Sequence, residues 1–329
     1  MEPAIKRIIL IALVLFAFNL RAANTSALTL IQTIPLQNVE GRIDHMAVDV
    51  IGQRLFIAAL GNDTVEVVDL KAGKAVKSLS GFAEPQGMIF VPEFDRLFVA
   101  NGSDGTCRIL DGNSFKLVRT VKLGDDADNI RYDETAKKVY VGYGSGALAA
   151  IDARTGERTT DIKLAGHPES FRISTSGAIF VNVPEAGQIA LVDRNKGKVT
   201  DTWPLEDAAG NFPMFLDEAN QRMFVGCRRP AALLIYDSTT GKLAASVPIS
   251  HDTDDLFYDR DNKLVYVSCG AGVIEVIKQM DANHYLRAET LKTASGARTS
   301  LFVPELKILC LAVPHRIGQA AEIRVFKTQ

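Results

Sequence analysis

The sequence predicts an all-β chain closed into a seven-bladed β-propeller with four-stranded antiparallel blades. Three observations lead there. First, one pattern recurs, and the runs that close it end on Asp69, Asp111, Asp152, Asp193 and Asp237, at spacings of 42, 41, 41 and 44 residues. A period of about forty residues holding four short strands is that of a propeller repeat. Second, seven apolar runs suit inner strands, each followed by a β-branched or aromatic second run bounded by Gly, Asp or Asn. Third, the last repeat stops after Ile323-Arg324-Val325-Phe326, one strand short, while an unassigned strand pattern stands at Leu28–Leu36.

The inner strands begin near Met46, Met88, Ile130, Phe171, Met214, Leu256 and Leu301. Second strands follow at Leu55–Ala58, Leu97–Ala100, Val139–Gly142, Ile179–Asn182, Met223–Gly226, Leu264–Ser268 and Ile308–Ala312. Turns such as Ala72-Gly73-Lys74 and Thr240-Gly241-Lys242 supply the residue that a positive φ favours. The Leu28–Leu36 run resembles Lys116–Leu123, an outermost strand. It is therefore expected to complete the last blade, which removes open sheet edges and ties both termini. No linker interrupts the ring, so residues 24–329 read as one domain.

The first residues have the order of a secretory signal peptide. Lys6 and Arg7 precede a short apolar run, and small residues Ala22 and Ala23 follow. The run is short for a membrane span. Residues 1–23 are read as a cleaved leader, which implies a periplasmic or secreted protein with no membrane span. The formal charge is −2, and losing three basic residues and one acidic residue with the leader makes it more negative. That balance gives no reason to expect nucleic acid as a partner.

Four cysteines, Cys107, Cys227, Cys269 and Cys310, fall on different blades, with no Cys-x-x-Cys pair. Cys227 and Cys269 occupy equivalent positions in neighbouring blades. Export makes a bridge between them chemically available, whereas the spacing of adjacent blades opposes it. Small buried thiols are the simpler reading.

Loops that enter the inner strands lie nearest the central channel. Aligned on Asp49, Pro92, Asp133, Ser174, Asp217, Asp259 and Pro304, the residues five places earlier are Asp44, Gly87, Asp128, Glu169, Phe212, Asp254 and Thr299. Four carboxylates at one level repel each other unless protons, cations or basic groups compensate. His45, Glu84, Asn129, His167, His251 and Arg298 lie in the same segments, and Arg228 stands in a neighbouring hairpin. Three readings remain open. The groups are structural, hydrogen-bonding the loops. Or they form a ligand site for a small molecule, peptide or glycan. Or some of Asp44, His45, Asp128, His167, Glu169, His251 and Asp254 hold a divalent cation. Arg228 suits a carboxylate or phosphate, or simply neutralises the acids. No phosphate-binding loop, nucleophile elbow or zincin motif is present. The single tryptophan, Trp203, argues against the tryptophan-lined rings of quinone-cofactor propellers.

The runs "RLFVANGSDGT", "KVYVGYGSGA" and "LVYVSCGAG", followed by "VEVVDLKAGK", "LAAIDARTGE" and "LLIYDSTTGK", resemble those of the YncE-like proteins of the YVTN-repeat, WD40-like propeller group. The resemblance covers the whole mature chain and implies an exported propeller. Gly41–Asp49 and His251–Asp259 depart from the usual YVTN pattern, which sets the channel mouth apart. Related seven-bladed propellers include sugar lactonases, but no catalytic residue of theirs maps onto this chain. The reading that follows is a monomeric binding or scaffold module with a polar ligand site at the channel mouth. The alternative is a metal-assisted hydrolase of lactone type, with His167 or His251 as general base.

Overall fold

The structure, a computed structural model, describes residues 26–205 and 207–329. The expected leader, residues 1–23, lies outside them. Seven four-stranded antiparallel sheets follow one another. Blade 1 comprises Met46–Asp49, Arg54–Ala59, Thr64–Asp69 and Lys74–Leu79, running from the channel outwards. Blades 2 to 6 repeat the order with inner strands Pro85–Val91, Ile130–Asp133, Phe171–Ile173, Ala209–Asp217 and Thr253–Asp259. Blade 7 takes Ser300–Val303, Ile308–Val313 and Glu322–Thr328 from the C-terminal end, and its outermost strand is Leu28–Pro35. That strand pairs antiparallel with Glu322–Thr328, from Leu28 opposite Thr328 to Pro35 opposite Glu322. The chain is a seven-bladed propeller closed by its own N-terminal strand.

Each seam between blades is filled by its own apolar cluster. Ile34, Ile57, Cys310 and Ile323 join blades 7 and 1, and Phe56, Val67, Met88 and Val99 join blades 1 and 2. The same arrangement recurs around the ring, ending with Leu28, Tyr266, Leu309 and Phe326 between blades 6 and 7. The first strand thus feeds both seams that flank blade 7. All four cysteines are free and buried. Cys227 packs in the seam of blades 4 and 5 and Cys269 in that of blades 5 and 6, so no bridge joins them.

The aspartates that mark the repeat are turn residues. Asp152 Oδ1 accepts from the amides of Arg154 (3.0 Å) and Thr155 (2.7 Å). Asp193 and Asp237 do the same two and three residues on. This side-chain turn fixes the hairpin between third and outer strands. Bonds from Thr239 and Thr240 hold the Asp237 carboxyl down at about 2.

Two outcomes test these assignments. Ile34 is fully buried and Leu30 is half exposed in the same strand. Ile34→Ala should cost about 3 kcal/mol of stability in urea denaturation and Leu30→Ala less than about 1 kcal/mol. For Asp237, a folded pKa below the ordinary 3.8 stabilises the fold above that value, and the gain is lost as pH falls through about 2. Melting curves of Asp237→Asn should therefore lie below wild type at pH 7 and converge with it as pH drops from 4 towards 2.

Candidate functional site

Equivalent backbone geometry places three of the four ring acids. The amides of Asp44, Asp128 and Glu169 donate to the carbonyls of Ala58 (2.8 Å), Gly142 (2.9 Å) and Asn182 (3.0 Å) on their second strands. Those same three residues donate back to His45, Asn129 and Ser170. Each of these three acids is thus fixed two residues before its inner strand, at the rim of the channel. In blade 6 the ladder skips between Thr253 and Asp255, leaving Asp254 as the bulged residue. Gly87 fills the ring position of blade 2, where a Cβ would collide with the Asp128 carbonyl.

The residues converge on one cavity of about 330 Å³ at the channel mouth. Asp44, His45, Asp128, His167, Glu169, Arg228, Asp254 and Arg298 line it, and Arg42, Gln86, Asp126 and Phe212 complete the wall. Three other candidates lie elsewhere. Glu84 is exposed, with a left-handed φ of 52° that turns its side chain outwards. His251 is exposed beside Asp252, another left-handed residue. Of the two histidines proposed as a hydrolase base, only His167 therefore lines this cavity. Asn129 is buried behind the ring, its Nδ2 donating to Asp128 Oδ2 at 3.2 Å. A larger groove of about 660 Å³, flanked by Trp203, Pro230, Leu234 and Tyr236, sits at the outer edge of blades 4 and 5, with Asp207 and Lys242 as its charged lining.

One side of the mouth is neutralised. Asp254 receives Arg228 Nη2 at 2.6 Å and Arg298 Nε at 2.8 Å. Arg298 also reaches Asp252 at 2.8 Å, and the Arg228 guanidinium stacks 3.6 Å above the Phe212 ring. Burial pushes Asp254 up to about 6 even though Arg298 and Arg228 pull it down.

The other side is not. Asp128 is buried, and its Oδ1 has no hydrogen-bond partner among the described residues. Burial, then the charges of Asp44 and Glu169, push its carboxyl well above the usual range. Burial and Asp254 raise Glu169 to about 7. His45 compensates in part. Burial alone would lower its pKa, but Asp255 and Asp44 outweigh that and hold it at about 10. His167 is oriented by Nδ1, which lies 2.7 Å from the Gly144 carbonyl. A carbonyl only accepts, so Nδ1 carries the hydrogen, and in the neutral ring Nε2 keeps its lone pair.

Sequence reasoning missed a second layer. Arg131 and Arg172 are half-buried on their inner strands and bind Ser170 Oγ at 3.1 and 3.3 Å. Asp255 accepts from the Ser300 amide and lies 3.6 Å from His45. A signal existed, because Arg131 and Arg172 hold the same register two residues before Asp133 and Ser174.

No protein-family model matches the chain, and no curated protein matches it. Solved structures do. A chain of Kuenenia stuttgartiensis hydrazine synthase shares 16% identity over 88% of this chain and 98% of its own, with a TM-score of 0.75. A chain of the mitotic checkpoint complex shares 11% identity over 100% of this chain and 99% of its own, with a TM-score of 0.79. At such identities the likeness is one of fold, a WD40-like seven-bladed propeller. Among the described residues no helix is long and apolar enough to cross a membrane.

The double-arginine clasp yields a test. Asp254→Ala takes the close carboxylate partner from Arg228 and leaves Arg298 only Asp252, and should cost about 1–3 kcal/mol in urea denaturation. Adding Arg228→Met should recover part of that loss, because the two residues are coupled. Strictly additive losses would show that they are not.

Proposed function

We propose that the protein is an exported, monomeric binding module of the YncE-like, YVTN-repeat type. Its channel mouth holds a small polar ligand, free or as the end of a peptide or glycan. The propeller fold suits this reading, because its rim gathers loops from every blade around one opening. The leader-like residues 1–23 support export. The observation that carries the binding site is the unpartnered Oδ1 of Asp128, buried in a cavity that Asp44 and Glu169 share. A buried acceptor without a partner costs about 1–3 kcal/mol, and ligand sites are where such a cost is retained. Arg228 and Arg298 are occupied by Asp254, so the groups left unmatched are the carboxyls of Asp128 and Glu169, which suit an occupant that brings hydrogen-bond donors or positive charge.

Thermal shift with a panel of amino sugars, amino acids and short peptides, in the presence of chelator, tests the reading. A ligand at a hundred times its Kd should stabilise the protein by about 2.7 kcal/mol. Asp44→Asn, which removes one acid from the cavity wall, should abolish most of that gain. A panel that stabilises wild type and variant equally would sink the proposal.

A further inference from the structure

We propose that Asp128, His167 and Glu169 form a site for one divalent transition-metal ion of the zinc class, placed at the wall of the channel mouth. The inference rests on the channel mouth being the functional site, and it identifies the source of positive charge there.

The three side chains each offer one donor atom, and those atoms lie within 4.8 Å of one another. Metal–ligand bonds of about 2.0–2.2 Å span such a group after modest side-chain rotation. Each residue also keeps one donor atom without a hydrogen-bond partner among the described residues; for His167 that atom is Nε2, since Nδ1 faces the Gly144 carbonyl at 2.7 Å and Asp126 at 3.7 Å. Asp128 Oδ1 is buried, faces the cavity and has no partner, while Oδ2 is taken by Asn129. The Glu169 carboxylate has no hydrogen bond or ion pair among the described residues. His167 donates Nδ1–H to the Gly144 carbonyl, which points Nε2 to the other side. A ligating imidazole is commonly fixed by just such a bond from its second nitrogen. The nearby arginine does not fill the gap, since Arg131 bonds the Ile130 carbonyl and Ser170 Oγ instead.

A second triad, Asp44, His45 and Asp128, has similar spacing. Its histidine is already the counter-charge of Asp255 at 3.6 Å, so the His167 triad is the better site. One nitrogen and two carboxylates suit a borderline ion rather than Ca²⁺, which takes six to eight oxygens. Three protein ligands leave a further coordination position open. His167 and Glu169 also line an adjoining cleft of about 510 Å³ beside Gly144 and Glu185. The open position can therefore be reached from solvent by a water or a donor group of the ligand.

The test uses the full mature protein, stripped with chelator and dialysed against Zn²⁺. Elemental analysis should give one equivalent in wild type and in a His284→Gln control, whose histidine is exposed and pairs with Asp281. Asp128→Asn and His167→Gln should each weaken binding at least ~100-fold, since even an outer-shell partner is worth 10–100-fold. Replacing Zn²⁺ with Co²⁺ should give visible absorption bands in wild type that both variants lose. Circular dichroism and melting in chelator show whether each variant is folded. Asp128→Asn should melt at or above wild type there, because it relieves the crowding of a buried carboxyl against Asp44 and Glu169. No stoichiometric metal in wild type, or equal metal in both variants, overturns the site. A ligand that stabilises the chelated protein in an Asp44-dependent way would still leave the binding reading standing.

Discussion

The antiparallel pairing of Leu28–Pro35 with Glu322–Thr328 is the constraint on which the rest depends. A propeller has no contact between distant blades except through the ring itself, so one unclosed seam loosens every angle. Here the N-terminal strand puts Leu28 into the seam of blades 6 and 7 and Ile34 into that of blades 7 and 1. Directly afterwards the chain enters the rim, where the Leu36 amide bonds the Ala321 carbonyl and Thr299 Oγ1 bonds the Ile43 carbonyl. The position of Asp44 beside Asp128 is thus set by the first and last strands of the ring.

With the ring closed, charge at the channel mouth cannot spread. Acids from blades 1, 3, 4 and 6 stand at one level because the backbone of each blade delivers them there. The fold answers this crowding unevenly. Blade 6 has a clasp, with Asp254 held by Arg228 and Arg298, and Asp255 has His45. Blades 3 and 4 have Asp128 and Glu169 with no such partner, while Arg131 and Arg172 spend their hydrogen bonds on Ser170 and backbone carbonyls. A surface under selection for stability alone would replace Asp128 with its amide. Local conflict of this kind is what a site built for an occupant looks like.

The architecture was legible because each repeat must solve the same local problem. Asp152, Asp193 and Asp237 recur since a carboxylate accepting two amides is an efficient way to hold that turn, and so the period is visible in the aspartates. The swapped strand was legible from the apolar positions of Leu28–Leu36. The ring acids could be found by counting back from Asp49 and its equivalents, because a β-ladder keeps register. Three things escaped. Glu84 and His251 share the rim segments in sequence, but left-handed residues at Glu84 and Asp252 redirect the chain. That Arg228 neutralises a rim acid was legible, but that its partner is Asp254 of the next blade was not, because no short-range pattern encodes a contact between blades. Arg131 and Arg172 stand on inner strands that the sequence marks, but only the channel's width decides that their side chains reach Ser170.

The separate burial of the four thiols has a consequence of its own. Cys107, Cys227, Cys269 and Cys310 pack into four different seams, and burial pushes each thiol up to about 12. At neutral pH almost none is thiolate, so the native ring is inert to alkylation and indifferent to reductant. Each sulfur becomes reactive only when its own seam parts. The chain thus carries four built-in reporters of breathing, one for each of four joints in the ring, and their relative labelling rates rank those joints by how often they open.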